Sequence, residues 1–227
     1  MAVKEPNGYH GEIHTTMWSV WPTWESWTWP GWEGKPIEVE VYTKAPEVKL
    51  YLNDQLIGTK KVSRETEFKA VFTVNYEPGI LKAVATRGTR ETRETRETSE
   101  TSETSETSST SVLQTAGEPA RLRLTTDRTV MTADGQSLAF INVEVLDKKG
   151  TLVPEAAIPC EAIVKGAGKL LSFASADLKD TEPYTSARVK TWKGRALLVV
   201  RSTQKKGSVN VSIKSELPTA NLTLKSK

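Results

Sequence analysis

From Pro36 onward the chain is written in short runs in which apolar and polar side chains alternate, and this period of two limits the fold more than any other feature. "IEVEVYT" sets Ile37, Val39 and Val41 on one face and Glu38 and Glu40 on the other. Successive strand residues point to opposite faces, so such a run marks a half-buried strand. "VKLYLNDQLIG" predicts a hairpin: Val48, Leu50 and Leu52 alternate, Asn53-Asp54 suit the left-handed turn conformations, and Leu56-Ile57 begin the return. "EFKAVFTV" and "GILKAVAT" add two strands around the turn-rich "NYEPG". In the second half, "ARLRLTT", "LAFINVEVLD", "CEAIVKG", "KLLSFAS", "RALLVVRST", "GSVNVSIKS" and "ANLTLKS" are seven strand candidates. Turn signals such as "TADGQS" and "DKKG" separate them, and "GAG" at 166–168 reads as a strand turn. No segment sustains a helical period. Seven short strands within about 110 residues fit an immunoglobulin-like sandwich.

The expected architecture is all-β: two immunoglobulin-like sandwiches in tandem, preceded by an irregular arm. The arm is expected over residues 1–35, the first sandwich over 36–117 and the second over 118–227, with Gly117 and Pro119 breaking the pattern between them. The triplets Thr-Arg-Glu and Thr-Ser-Glu fill residues 88–110. A strict period of three suits neither a strand nor a helix face, and nothing in it is apolar enough to bury, so a solvated low-complexity loop is expected there.

The chain has 227 residues and a formal charge of +3, with Lys and Glu interleaved among apolar residues, which argues against nucleic acid as a main partner. No apolar run approaches the roughly 18 residues that span a bilayer, so no membrane partner is expected. A single cysteine, Cys160, forbids an internal disulfide and reads as a small buried hydrophobe. "MAVKEPNGYHGEIHTT" lacks the apolar core of a secretory signal, and composition leaves the compartment open.

"WSVWPTWESWTWPGW" holds Trp18, Trp21, Trp24, Trp27, Trp29 and Trp32. Pro22, Pro30, Gly31 and Gly34 exclude a regular helix there. A polyproline-like path, with three residues per turn, would line Trp18, Trp21, Trp24 and Trp27 along one edge. Two readings follow: a seam that docks on another domain, which is favoured, or a platform that stacks sugars, with Trp192 as a further contributor. Six indoles exceed what a platform needs, whereas a seam uses them all.

Catalytic signatures are missing. "HGEIH" sets His10 and His14 about Glu12 in an order unlike His-Glu-x-x-His, Gly11 weakens any helix, and no third ligand stands nearby, so no metal is expected. Glu25, Glu33, Asp177, Asp180 and Glu182 are the most suggestive carboxylates, yet no motif fixes any two as the pair a glycosidase needs. Nothing calls for a cofactor. Asn210 and Asn221 begin Asn-x-Ser/Thr triplets that matter only in a eukaryotic secretory chain.

"YHGEIHTTMWSVWPTWESWTWPGWEGKPIEVEVYTKAPEVKLYLNDQLIGTKKV", with "EFKAVFTVNYEPGILKAVA", resembles the region of bacterial β-galactosidase-like enzymes of glycoside hydrolase family 2 where the chain leaves the catalytic barrel for a C-terminal β-sandwich. "TADGQSLAFINVEVLDKKGTLVP" and "ADLKDTEPYTSARVKTWKGRALLVVRS" look like the further C-terminal domain of those enzymes. The resemblance covers all but roughly residues 88 to 110. It implies accessory domains whose partner is the barrel of a retaining β-glycosidase, with β-galactoside glycans as an alternative ligand. The acid/base and nucleophile glutamates would then lie in that barrel, so no residue here is assigned to catalysis. The parent is implied to be periplasmic or secreted.

The polar triplets generate a first prediction. Limited trypsin digestion is expected to cut earliest at Arg90, Arg93 and Arg96, before any site within the alternating runs. Survival of these bonds while the strands are cut would rule out an exposed loop; peptide masses at early time points decide.

Overall fold

The computed structural model describes residues 1–87 and 107–227. They form two units, Met1–Thr115 and Ala116–Lys227. Every regular element among them is a strand, and the expected all-β class holds.

In the first unit, β1 (Ala2–Lys4), β2 (Thr23–Trp24), β3 (Pro36–Tyr42) and β6 (Lys69–Asn75) form one sheet in the order β2-β1-β3-β6. A second sheet takes β4 (Glu47–Leu52), β5 (Gln55–Lys61), β7 (Ile80–Arg87) and β8 (Thr107–Gln114) in the order β5-β4-β7-β8. All pairs are antiparallel. Val39, Val41, Phe72 and Val74 from the first sheet share one core with Val48, Leu50, Leu81 and Ala83 from the second. Those are the alternate positions of each run, so the period of two has become two inner faces of a sandwich.

The predicted hairpin turns at Asn53 and Asp54, whose φ angles of 51° and 63° are both left-handed. Asn53 also holds the far turn. Its Oδ1 accepts from the Ile80 N–H at 2.9 Å and its Nδ2 donates to the Pro78 carbonyl at 3.2 Å. A Cβ on Gly79 would lie 1.8 Å from that oxygen, and Gly79 has φ of 144°, so the site admits only glycine.

Two sequence expectations change. The arm is not a separate irregular segment: β1 and β2 extend the first sheet, with Val3 opposite both Trp24 and Val39. Two- and three-residue strands are too short to show a period, which is why they escape a sequence reading. Of the triplet stretch, residues 88–106 lie outside the described residues. Residues 107–110, expected in the loop, open β8 and pair with residues 84–87. Backbone bonding to β7 makes that strand, since its Thr/Ser composition has no apolar alternation to reveal it.

The second unit pairs β9 (Arg121–Thr126), β11 (Leu138–Leu146), β15 (Arg195–Ser202) and β13 (Gly168–Ala174) in the order β13-β15-β11-β9. Its other sheet runs β10 (Val130–Met131), β17 (Ala220–Ser226), β16 (Gly207–Lys214), β12 (Pro159–Gly166) and β14 (Arg188–Lys190). The seven strand candidates are all present, and β10 and β14 are the two short additions. Ile141, Val143, Leu198 and Val200 meet Val209, Val211, Ile213 and Leu224 in one core. Cys160 is buried there, and burial, aided by Glu216, pushes its thiol up to about 11. It is the packing residue the sequence suggested.

On the outer face of the first sheet, Glu40 is only 3% exposed. The Tyr42 hydroxyl donates to it, Lys69 Nζ lies at 3.4 Å and Lys4 Nζ at 3.6 Å. Burial works against the charge, but Tyr42, Lys69 and Lys4 outweigh it and hold the carboxyl below its ordinary range. The Glu40 hydrogen bond in turn pushes the Tyr42 phenol up to about 12. A carboxyl depressed on folding stabilises above its unfolded pKa and loses that contribution as pH falls through the folded value. Glu40→Gln is therefore expected to cost about 1.5–3 kcal/mol near neutrality. The gap to the parent chain should close progressively below about pH 4.5. Denaturant melts from pH 3 to 8, run about one pH unit apart, check the sign.

Candidate functional site

The tryptophan segment carries chemistry beyond what a sandwich requires. It does not lie along one edge: the indole N–H groups of Trp21, Trp24, Trp27 and Trp32 reach different acceptors, and that of Trp29 is buried with none among the described residues. Glu5, buried at the end of β1, collects three contacts. Trp24 Nε1 donates to Glu5 Oε2 at 2.7 Å, His10 Nδ1 lies 2.8 Å from Oε1, and Trp21 Nε1 donates to the Glu5 carbonyl at 2.8 Å. The Glu5 N–H donates to the Pro22 carbonyl, which closes the β1–β2 ribbon.

Trp27 is fully buried, with its Nε1 donating to the Glu77 carbonyl at 2.9 Å and its ring edge-on to Tyr76 at 5.1 Å. Thr115 Oγ1 donates to the Trp27 carbonyl at 2.6 Å. Trp29 is also buried; its backbone N–H donates to the Tyr76 hydroxyl at 3.1 Å, and Tyr9 meets its ring edge-on. Trp32 is half-buried, with Nε1 on the Pro36 carbonyl at 3.1 Å and Lys35 Nζ 4.5 Å from its ring centre.

That leaves Trp18, which is 92% exposed between Met17 and Val20, each 90% exposed. A local turn presents the three: the Ser19 N–H donates to the Thr16 carbonyl at 3.2 Å and the Thr16 N–H to Ser19 Oγ at 2.6 Å. The structure thus separates the six indoles. Trp27 and Trp29 belong to the core of the first unit and offer no face to a partner. Trp21, Trp24 and Trp32 are half-buried against their own unit, and only Trp18 stands free of it. Glu5, Tyr9 and Tyr76 organise the site without having been singled out in the sequence. Their partners lie far along the chain, so no local pattern marks them.

The other candidates have structural uses. His14 Nε2 lies 3.7 Å from Glu12 Oε2, and among the described residues no cluster of three metal-ligating side chains occurs. Glu33 accepts from the Gly31 N–H, Asp177 from the Lys179 N–H and Asp180 from the Glu182 N–H, each within its own turn. Glu25 is exposed. Trp192 is half-buried in the tight turn before β15, closed by Lys193 and Gly194 at φ of 50° and 70°. Asn210 and Asn221 accept from Thr223 and Ser212, so the two triplets form cross-strand pairs on β16 and β17.

Residues 122–223 match the glycoside hydrolase family 2 C-terminal domain 5, and residues 34–93 match a domain of unknown function, DUF4982. The β-galactosidase BoGH2A of Bacteroides ovatus is 32% identical over 191 residues, covering 82% of this chain and 20% of that protein. A β-galactosidase of Thermoanaerobacter pseudethanolicus is 23% identical over 189 residues, 82% of this chain and 24% of its own length. The chain therefore spans about a fifth to a quarter of these relatives. A family 2 glycosyl hydrolase from Bacteroides cellulosilyticus superposes with a TM-score of 0.83 at 30% identity, covering all of this chain and 28% of that one.

The division of the indoles is measurable. Trp18→Phe is expected to remove the larger share of the acrylamide-quenchable, red-shifted tryptophan emission and to leave stability unchanged. Trp27→Ala should cost about 3–5 kcal/mol. Equal quenching before and after Trp18→Phe would contradict the arrangement.

Proposed function

We propose a role that starts from one premise: the chain is a C-terminal region of a glycoside hydrolase family 2 protein. On this reading both units are non-catalytic, and they serve a parent enzyme that acts on β-galactosides. The two relatives described above are β-galactosidases, which supports that choice of substrate. The turn carrying Met17, Trp18 and Val20 is the contact that docks on the parent's catalytic domain.

One observation carries the docking part. Three large apolar side chains stand exposed together on a turn whose hydrogen bonds are local, in a unit that buries or half-buries every other indole. Covering an indole removes on the order of 200 Å² from water, or about 5 kcal/mol at 25 cal/mol per Å² before ordering costs. A partner surface at that turn would recover this.

The experiment titrates the chain with a separately produced catalytic domain of its parent and follows tryptophan emission. A blue shift is expected, and Trp18→Ala should weaken binding by about 2 kcal/mol or more, roughly thirtyfold. Binding unaffected by Trp18→Ala would overturn the assignment of the turn. Protection of Trp18 by galactosides alone would replace docking with sugar stacking.

A further inference from the structure

The two units carry opposite charge. Residues 116–227 hold 18 Lys and Arg against 11 Asp and Glu, whereas residues 1–115 hold 13 against 17. In the second unit the surplus gathers at one end of the sandwich, where three turns meet.

There the Gly166-Ala167-Gly168 turn joins β12 to β13, residues 203–206 join β15 to β16, and the turn at Asp134-Gly135 leads into β11. The turns are tied together. The Ala167 N–H donates to the Ser208 carbonyl at 2.9 Å, and the Thr203 N–H and Oγ1 both donate to the Ala167 carbonyl at 3.0 Å. A Cβ on Gly166 would stand 2.1 Å from the Ser208 oxygen, so the close approach is held by glycine. Between the turns lies a groove of about 600 Å³, lined by Lys169, Arg201, Lys205, Gln136, Thr203 and Gln204 among others.

Lys169 faces Arg201 directly across the β13–β15 pair. Like charges opposite each other across strands cost stability, so this juxtaposition is not explained by folding. Lys165 and Lys225 stand opposite Asn210 and Ser208 on the neighbouring strand pairs. None of these five cations forms an ion pair among the described residues. The carboxylate at the groove, Asp134, is already engaged: it accepts from the Gln136 N–H at 2.8 Å, the Ser137 N–H at 2.7 Å and Ser202 Oγ at 3.2 Å.

We propose that this end groove binds a negatively charged saccharide, a uronate or sulfated sugar of a glycan chain. The cations Lys169, Arg201 and Lys205 meet its acidic groups, and the Gln136, Gln204 and Thr203 side chains meet its hydroxyls. The volume suits a small sugar segment. Among the described residues no aromatic side chain lines the groove, which disfavours single-stranded nucleic acid, whose bases need rings to stack upon. The inference does not rest on the docking turn, which lies in the other unit.

The test is native electrophoresis of the chain through gels containing polygalacturonate, chondroitin sulfate or neutral dextran. Retardation is expected with at least one anionic glycan, weakening with salt, and not with dextran. Lys169→Glu places a carboxylate opposite Arg201, so it should melt at the same temperature or higher while losing about tenfold in affinity. Lys148→Glu with Lys149→Glu changes the net charge by twice as much, in the turn after β11, and should keep most of the binding. Equal loss in that control would show that net charge alone acts, and would overturn the site. No retardation by either anionic glycan would overturn it too. So would tighter binding of single-stranded DNA, which would indicate a nucleic-acid surface instead.

Discussion

The first unit depends on the burial of Trp27. Its indole N–H is spent on the Glu77 carbonyl and its own carbonyl on Thr115 Oγ1, so one residue joins segments 50 and 88 positions away. Thr115 Oγ1 also accepts the Gly79 N–H, which ties in the turn that leads into β7. A buried indole without a partner for its N–H would lose part of what its area gains, and the Glu77 carbonyl removes that penalty. Once Trp27 is fixed, Tyr76 follows through its edge-on contact, and the Tyr76 hydroxyl takes the Trp29 N–H. The segment before Pro36 is thereby drawn into the sandwich, and β1 and β2 become its outer strands. An arm that looked like a tether in the sequence is part of the core.

What the sequence revealed and what it concealed divide along a physical line. Alternation is a local property, so Ile37-Val39-Val41 or Val209-Val211-Ile213 could be read directly as inner faces. Asn53-Asp54 could be read as the hairpin turn for the same reason, because positive φ is a preference of the residues themselves. β10 and β14 hold two and three residues, less than the pattern needs. The fate of each tryptophan was illegible for another reason. An indole tolerates core, half-buried and exposed positions alike, and its place is set by acceptors such as Glu5 and the Glu77 carbonyl. Regular spacing of three suggested a shared edge, but a spacing constrains direction only if the backbone keeps one conformation. Here it passes through a local turn at Thr16–Ser19, a two-residue strand and a further turn at Trp29–Trp32.

The two units also differ in how charge is handled. In the first, the buried carboxylate of Glu40 is answered by Lys4, Lys69 and Tyr42, and Glu38 on the same strand face shares Lys4 with it. Such a network is satisfied from within and asks nothing of a ligand. In the second, Asp134 is answered by backbone N–H groups of its own turn, and Asp147 by the Thr151 N–H of its turn and by the Gly117 N–H, which leaves neighbouring cations unneutralised. Turn geometry has used up these two anions, while Glu144, Asp127, Glu161 and Glu155 pair with cations elsewhere in the unit. The positive end of that sandwich follows from how its turns are capped, and the facing pair Lys169 and Arg201 is its least economical feature.

Exposure of apolar surface carries information only against the habits of the same unit. Leu56, Ile57 and Ile80 are also exposed, but only by about half and on strands, where a half-covered apolar residue is ordinary. Met17, Trp18 and Val20 differ because they stand together, nearly fully exposed, on a turn held by contacts within residues 16–19. Folding the first unit gains nothing from ordering that turn, since none of the three side chains joins the core cluster. Its hydrogen bonds nevertheless give it a defined shape, and a preformed shape lowers the ordering cost of binding. Five indoles committed to their own unit, and a sixth presented on a shaped turn, make a division of labour that residue counting could not reveal. The segment is first a structural element, and the surface it offers to a partner is confined to its tip.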